Sequence, residues 1–208
     1  MPKAALPAIR LDAETWLYQG IFDRPSLREA AARRHLAGIL GCPEDQIRLS
    51  RDQYGKPRLA APHGGLDFSL ARRGGVLVIA TTRSGTVGVD MEQIGQCDNC
   101  DGVARDFFAP AEAQWLVTLP RPERRRGFAA LWTAKEAVLK ARGQGIAAGL
   151  SNPDLSPWLE DGKPLCLSPL QLQSGGDTYT LVWYTRPLEG DSVMVARAQG
   201  LPASPFNP

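Results

Sequence analysis

The stretch LDFSLARRGGVLVIATTRSGTVGVDME, Leu66–Glu92, decides how the chain is read. Val76–Thr82 and Thr86–Glu92 are runs of apolar and β-branched residues, separated by Arg83-Ser84-Gly85. Two such runs around a short glycine turn predict a β-hairpin, with Leu66–Ala71 leading into it. Upstream, Ser26–Leu40 (SLREAAARRHLAGIL) is rich in alanine, leucine and arginine and predicts a helix that stops at Gly41-Cys42-Pro43. Ile47–Ser50 is a short strand candidate before the turn-like Tyr54-Gly55-Lys56-Pro57. Downstream, Phe107–Leu119 and Glu123–Arg142 predict helices. Pro164–Leu170, Thr178–Thr185 and Ser192–Ala198 predict strands, the last two joined by Arg186–Asp191. A helix followed by a three-strand meander therefore occurs twice, without any letter-by-letter repeat. The expected fold is α+β: two structurally similar lobes with pseudo-two-fold symmetry, each a helix packed on a small antiparallel sheet. The lobes divide as residues 1–88 and 89–208, and a cleft where two lobes meet is a natural ligand site. The tail LPASPFNP, Leu201–Pro208, is expected to be loose.

The chain has 208 residues, 43% hydrophobic and 22% charged, which suits a globular protein with a substantial core. No apolar run reaches the ~18 residues of a membrane span. The N-terminal MPKAALPAIRLDAETW lacks the apolar core of a signal peptide, so a cytoplasmic protein is expected. A net charge of +2 is too mild to argue for nucleic acid. Arginines cluster at Arg24, Arg28, Arg33 and Arg34, at Arg72 and Arg73, and at Arg121 and Arg124–Arg126. Such clusters suit phosphates, an acidic protein partner, or an ordinary solvated face. Cys97 and Cys100 form a C-x-x-C, but a zinc site wants a second pair or nearby histidines, and the two histidines, His35 and His63, are far away in sequence. Free thiols in a reducing compartment are the expectation.

Two segments carry the chemistry. On a strand through Gly88–Glu92 (GVDME), residues two apart share a face, so Asp90 and Glu92 project together while Val89 and Met91 turn to the core. Paired carboxylates repel unless a cation lies between them. In LWTAKEAVLKARGQG, Leu131–Gly145, helical spacing stacks Trp132, Glu136 and Lys140 on one stripe. Read alone, that stripe is a solvent-facing Glu–Lys pair beside a tryptophan. Read with Asp90 and Glu92, it offers a third carboxylate, and an amine one turn on. Magnesium takes a few carboxylates, waters and substrate phosphate oxygens, and a divalent cation with a lysine stabilises charge in phosphoryl chemistry. Lys135, off the stripe, is expected to pair with solvent or the facing lobe.

At these residues the chain resembles the 4′-phosphopantetheinyl transferase superfamily, in the longer type that activates surfactin synthetase. GVDME looks like the family's G-[IV]-D-x-E, FFAPAEAQWL like its FF-x-x-x-E segment, LWTAKEAVLKARGQGI like W-x-x-K-E-[AS]-x-x-K, and DQYGKPRL like its GKP element. The resemblance spans roughly Arg24–Gly145 and implies a holo-[acyl-carrier-protein] synthase type of activity. The 4′-phosphopantetheine arm of coenzyme A moves to a serine of an acyl or peptidyl carrier protein, releasing 3′,5′-adenosine diphosphate. It implies that Asp90, Glu92 and Glu136 hold magnesium against the coenzyme A pyrophosphate. Glu136 would also be the base for the carrier serine, directly or through a metal-bound water, and Lys140 would neutralise phosphate charge. Lys56 would lie near the adenylate end, unless it is simply a turn lysine before Pro57. Arg24 matches an early phosphate-binding arginine, with Arg28 as its rival. The implied protein is a monomer acting on coenzyme A and a carrier protein, with no nucleic acid and no membrane.

One departure stands out. The family's Ser-His-Ser or Ser-His-Thr element, which contacts the 3′-phosphate, aligns with Ser69-Leu70-Ala71, so Ser69 is kept and leucine replaces histidine. Leu70 cannot donate a hydrogen bond; Arg72 or Arg73 could take over, since a guanidinium binds phosphate bidentately. The lost histidine also admits a degenerate carrier-protein or nucleotide binding module, and the same acids would suit a metal-dependent phosphohydrolase. For the rim facing an acidic carrier, Arg124–Arg126 and the Phe107-Phe108 segment are candidates.

Overall fold

The computed structural model describes residues 8–95, 97–188 and 191–201, so the expected loose tail beyond Leu201 and part of the Arg186–Asp191 turn lie outside the described residues. In chain order the elements are β1 (Ala8–Arg10), β2 (Thr15–Gln19), α1 (Pro25–Leu40), β3 (Leu49–Arg51), β4 (Pro57–Leu59), β5 (Asp67–Arg73), β6 (Val76–Thr82) and β7 (Thr86–Gln93). Three helices follow, α2 (Cys100–Phe107), α3 (Pro110–Thr118) and α4 (Arg121–Ala141), then β8 (Leu170–Ser174), β9 (Asp177–Leu188) and β10 (Asp191–Gly200). One antiparallel sheet runs in the order β1-β2-β6-β5 and a second in the order β7-β10-β9-β8, with β3 and β4 as a small separate pair.

The hairpin expected across Arg83-Ser84-Gly85 does not form. β6 is flanked on both sides, by β2 and by β5. A strand with both edges paired has no ladder left to offer, so β7 leaves the first sheet and pairs with β10, placing Asp90 opposite Ala196 and Glu92 opposite Met194. The hairpin of this region is β5–β6, and Gly74 at φ 53° supplies the left-handed residue of its turn. The helix followed by a three-strand meander is present in the second half, as α4 and β8–β9–β10, but not in the first, so the unit that repeats is a different one. It is a strand, a helix and a hairpin whose second strand lies beside the first: β2, α1, β5–β6, and then β7, α4, β9–β10.

Two further expectations change. Pro164–Leu170 is not a strand: β8 begins only at Leu170, because Pro164 and Pro169 lack the amide a ladder needs. The segment Phe107–Leu119 is not one helix. α2 ends at Phe107, Phe108 is extended, and α3 starts at Pro110, a residue suited to a first helical turn. α2 itself was not expected; the Asn99 side chain caps it by accepting from Gly102 N (3.3 Å).

The two sheets meet on an apolar layer that includes Leu17, Val78, Val87, Val89, Met91 and Val195. That layer uses one face of β7, and α4 covers the other. α4 is buried along most of its length, and its small residues Ala129, Ala130, Ala134, Ala137 and Ala141 let the strands beneath come close. Closest of all is Gly88: a Cβ there would lie 1.8 Å from Ala137 O and 2.4 Å from Ala141 N. No side chain fits that crossing. Gly88 therefore sets the height of α4 above β7, and with it the reach from helix to the neighbouring Asp90.

Where β7 passes β5, side chains replace the missing ladder. Ser69 Oγ accepts from Val89 N at 3.1 Å and Asp67 Oδ2 accepts from Val87 N at 2.8 Å. The opposite margin is tied by Arg197, whose Nη1 donates to Glu14 Oε2 at 2.7 Å, and by the Tyr184 hydroxyl on Asp12.

Candidate active site

Alternation along β7 sends Gly88, Asp90 and Glu92 towards α4, and one helical turn separates Glu136 from Lys140 on the facing stripe. Lys140 Nζ donates to Asp90 Oδ1 at 2.6 Å. Glu136 is 7% exposed, and its Oε1 is buried without a hydrogen-bond partner. Burial, and then the charge of Asp90, push the Glu136 carboxyl up to about 7, with Lys140 pulling the other way. Glu92 is raised too, chiefly by burial, against the Gln93 amide and Arg73, while Asp90 adds to the rise. Its Oε1 accepts both from Arg73 Nε, across the seam on β5, and from Gln93 N, each at 3.0 Å. Asp90 is thus the hub through which the carboxylates sense each other.

Among the described residues, no three Asp, Glu, His or Cys side chains are grouped tightly enough to hold a metal ion. The donor chemistry nevertheless fits a hard cation. The groups are all carboxylates, Asp90 acts electrostatically on both glutamates, and the buried Oε1 of Glu136 has nothing to satisfy it. Magnesium needs only one or two protein carboxylates alongside waters and substrate oxygens, not a closed cage.

Trp132 packs against the core, stacks on Phe128 at 5.8 Å and helps line a cavity of about 240 Å³ with Arg73, Glu92, Val103 and Arg125. On the other side of β5, a cavity of about 270 Å³ brings Arg28, Arg51 and Arg72 together with Glu29, Leu70 and Pro25. Arg28 is held there by Phe22 O (3.1 Å) and Asp23 O (3.2 Å), and Arg51 by Glu29 (2.6 Å). Arg24 sits at the N-cap of α1 and is exposed. Ser69 is buried in the seam described above. Lys56 is also buried, donating to Asp67 Oδ2 (3.0 Å) and Val87 O (2.8 Å); burial lowers its pKa, against the pull of Asp67. Of the residues singled out from sequence, Asp90, Glu136 and Lys140 come together, Glu92 follows two residues along the same face of β7 and pairs with Arg73, Arg72 joins Arg28 in a second cavity, and Lys56 and Ser69 are engaged within the protein.

Lys135 overturns its expected place at the surface. It is fully buried, with Nζ on Glu112 Oε2 (2.7 Å) and Pro153 O (2.5 Å), and lies over the Phe108 ring at 5.2 Å. Glu112 also accepts from Ala109 N and Leu155 N, both at 2.8 Å. This pair joins α3, α4 and the 153–155 segment directly behind Glu136. Its signal was present in the sequence, as a glutamate at the N3 position after a proline and a lysine amid small apolar residues, but neither residue reveals burial by itself. At the rim, Arg124 is committed to Asp101 (2.8 Å) and to the carbonyls of Val117 and Leu119. Phe108 belongs to the core while Phe107 is exposed.

A family model described as the 4′-phosphopantetheinyl transferase superfamily matches residues 86–189, the segment from β7 to the end of β9. Among known proteins, a 4′-phosphopantetheinyl transferase of Nostoc sp. is 33% identical over 117 residues, covering 55% of this chain and 49% of that protein. One from Aneurinibacillus migulanus is 30% identical over 123 residues (59% and 49%). One from Bacillus pumilus is 31% identical over 129 residues (62% and 54%). The chain thus spans about half the length of the curated relatives it matches.

Proposed function

The chain belongs to the 4′-phosphopantetheinyl transferase superfamily, and from that premise we propose that it moves the 4′-phosphopantetheine group of coenzyme A onto a serine of an apo acyl or peptidyl carrier protein. The released product is 3′,5′-adenosine diphosphate. The observation that carries this reading is the meeting of Asp90, Glu136 and Lys140, from elements 50 residues apart in sequence, in one half-buried cluster. Asp90, Glu92 and Glu136 would hold magnesium, which when bound supplies positive charge against the pyrophosphate. Burial and the charge of Asp90 push the Glu136 carboxyl up to about 7 in the metal-free protein; with magnesium bound its carboxylate would be favoured, the form that takes the proton of the carrier serine. Lys140 places an ammonium beside Asp90, where it offers charge to phosphate oxygens as well as to the carboxylate. Free cysteines suit a cytoplasmic setting. No helix among the described residues is long and apolar enough to cross a membrane.

The matching strand–helix–hairpin order supports two lobes related by a pseudo-two-fold axis, dividing near residue 88. The first would take the adenylate end of coenzyme A and the second the metal and pyrophosphate. In the first lobe, the cavity containing Arg28 and Arg72 is the better seat for the 3′-phosphate, because three guanidiniums line it, those of Arg28, Arg51 and Arg72, and Leu70 offers only an apolar wall. Arg24 would then act at its margin, while Lys56 and Ser69 would serve coenzyme A binding from beneath, through the β5–β7 seam that they tie. Arg72→Ala is expected to raise the KM for coenzyme A about tenfold, the worth of one charged contact of ~1.5 kcal/mol. The same variant should treat dephospho-coenzyme A as the wild type does. An equal loss with both donors would place Arg72 elsewhere.

The direct test is incubation with coenzyme A, magnesium and apo carrier proteins, read by intact mass. The expected result is the addition of one phosphopantetheinyl group at the carrier serine. Release of phosphopantetheine without any carrier would instead indicate hydrolysis.

A further inference from the structure

The C-x-x-C at Cys97–Cys100 has no part in the proposed transfer, and the fold gives it a defined setting. Cys100 is the first residue of α2 and is buried, while Cys97, three residues earlier, is half-buried. The turn between them folds the second thiol back on the first residue: Cys100 Sγ donates to Cys97 O at 3.2 Å. Both cysteines line one cavity of about 250 Å³ whose wall carries three guanidiniums, Arg121, Arg124 and Arg125, against two carboxylates, Asp98 and Asp101. Arg124 is committed to Asp101, whereas the guanidinium of Arg125 acts on the Cys100 thiol and favours its ionised form. Burial, the adjacent Cys97 thiol and the Asp101 carboxylate outweigh it and hold the Cys100 proton firmly; Cys97 is the more accessible of the two, so attack on an oxidant begins there. The other two cysteines lie elsewhere, Cys42 near His63 and Cys166 near Ser168.

We propose that Cys97 and Cys100 are a reversible dithiol–disulfide site, oxidised by small anionic disulfides that the arginine-lined cavity admits, and that ring closure reshapes the cavity beside Glu92. Cys97 thiolate attacks one sulfur of a disulfide such as glutathione disulfide, forming a mixed disulfide and expelling one thiolate, which takes up a proton. Cys100 then loses its proton to solvent and attacks Cys97 Sγ, expelling the second thiol. Two protein thiols are oxidised, one external disulfide is reduced to two thiols, and atoms and electrons balance. The consequence for the site follows from position. Cys97 also lines the cavity shared by Glu92, Trp132 and Arg73, so drawing its sulfur onto Cys100 moves that wall.

The test uses the full chain, equilibrated with glutathione disulfide, quenched with N-ethylmaleimide in denaturant at once so that buried thiols react, and read by intact mass and peptide mapping. The reduced protein should carry alkyl groups on all four cysteines, and the oxidised protein on Cys42 and Cys166 only, with a Cys97–Cys100 cross-linked peptide. Cys42→Ser and Cys166→Ser should behave as wild type. Cys97→Ser and Cys100→Ala, checked for wild-type melting, should not form the ring. Glutathione left as a stable adduct on Cys97 or Cys100, or alkylation of both after oxidation, overturns the site. The second half rests on the transferase reading: the oxidised protein should show a several-fold lower transfer rate, restored by dithiothreitol. A disulfide that forms without changing the rate overturns the coupling to the Glu92 cavity. Inactivity of the reduced protein would count against the transferase reading alone, since the mass measurement does not depend on it.

Discussion

Glu136→Gln is expected to abolish transfer to carrier protein while leaving coenzyme A binding measurable by calorimetry. Glutamine keeps the shape of the side chain but cannot accept a proton, and a positioned general base is worth about 10²- to 10⁴-fold in rate. The same substitution should stabilise the fold in a pH-dependent way. The folded carboxyl titrates at about 7, above its ordinary value of 4.5. Between those values the unfolded chain releases its proton while the folded protein keeps it, so wild-type stability falls as pH rises across the window. Below it both states are protonated and nothing is lost. Glutamine removes the group altogether. In thermal melts without divalent cations, the variant should therefore match wild type near pH 4.5 and gain progressively up to pH 8. The full gain should reach up to about 3 kcal/mol, at ~1.4 kcal/mol per pKa unit. A gain constant with pH would mean that Glu136 does not titrate in this range. Unaltered transfer would remove it both as base and as essential ligand.

The site was readable because its logic is local and periodic. Residues two apart on β7 and four apart on α4 share faces whatever the rest of the chain does, so Asp90, Glu92, Glu136 and Lys140 could be grouped from spacing. Their convergence needed an additional fact, that α4 crosses β7 at Gly88 with no room for a Cβ. That contact is long-range, and a glycine in a strand gives no hint of its partner. The β6–β7 hairpin failed for the same kind of reason. A glycine turn between two apolar runs favours pairing locally, but β6 was already claimed by β2 from the start of the chain and by β5 across Gly74-Gly75. Local pattern cannot count the free edges of a strand. Pro164–Leu170 differs for a local reason: Pro164 and Pro169 lack the amides a ladder needs, and that outweighs the pull of the leucines.

Lys135 is the most instructive miss, because its charge argued for solvent while its neighbours argued for the core. Burial draws both Lys135 and Glu112 towards their neutral forms, and each partner's charge draws the other back. Lys135→Met should destabilise the protein by about 3 kcal/mol at pH 7, at the low end for a broken buried ion pair. The low end follows because Glu112 keeps the Ala109 and Leu155 amides and can escape its uncompensated charge by taking a proton. That escape costs about 1.4 kcal/mol for each pH unit above its unfolded pKa. In the variant the folded Glu112 pKa is raised, so the stability loss grows as pH rises from about 4.5 and shrinks as it falls. Melting curves at pH 5 and pH 7 should show it, the defect at pH 7 being worth up to ~10 °C for a chain of this size. Lys135→Met combined with Glu112→Gln should recover part of the loss at pH 7, because no buried charge remains. Equal defects at both pH values, or a double variant less stable than the sum of the singles, would show that Glu112 is held by its backbone amides alone. The pair would then contribute packing rather than charge compensation behind Glu136.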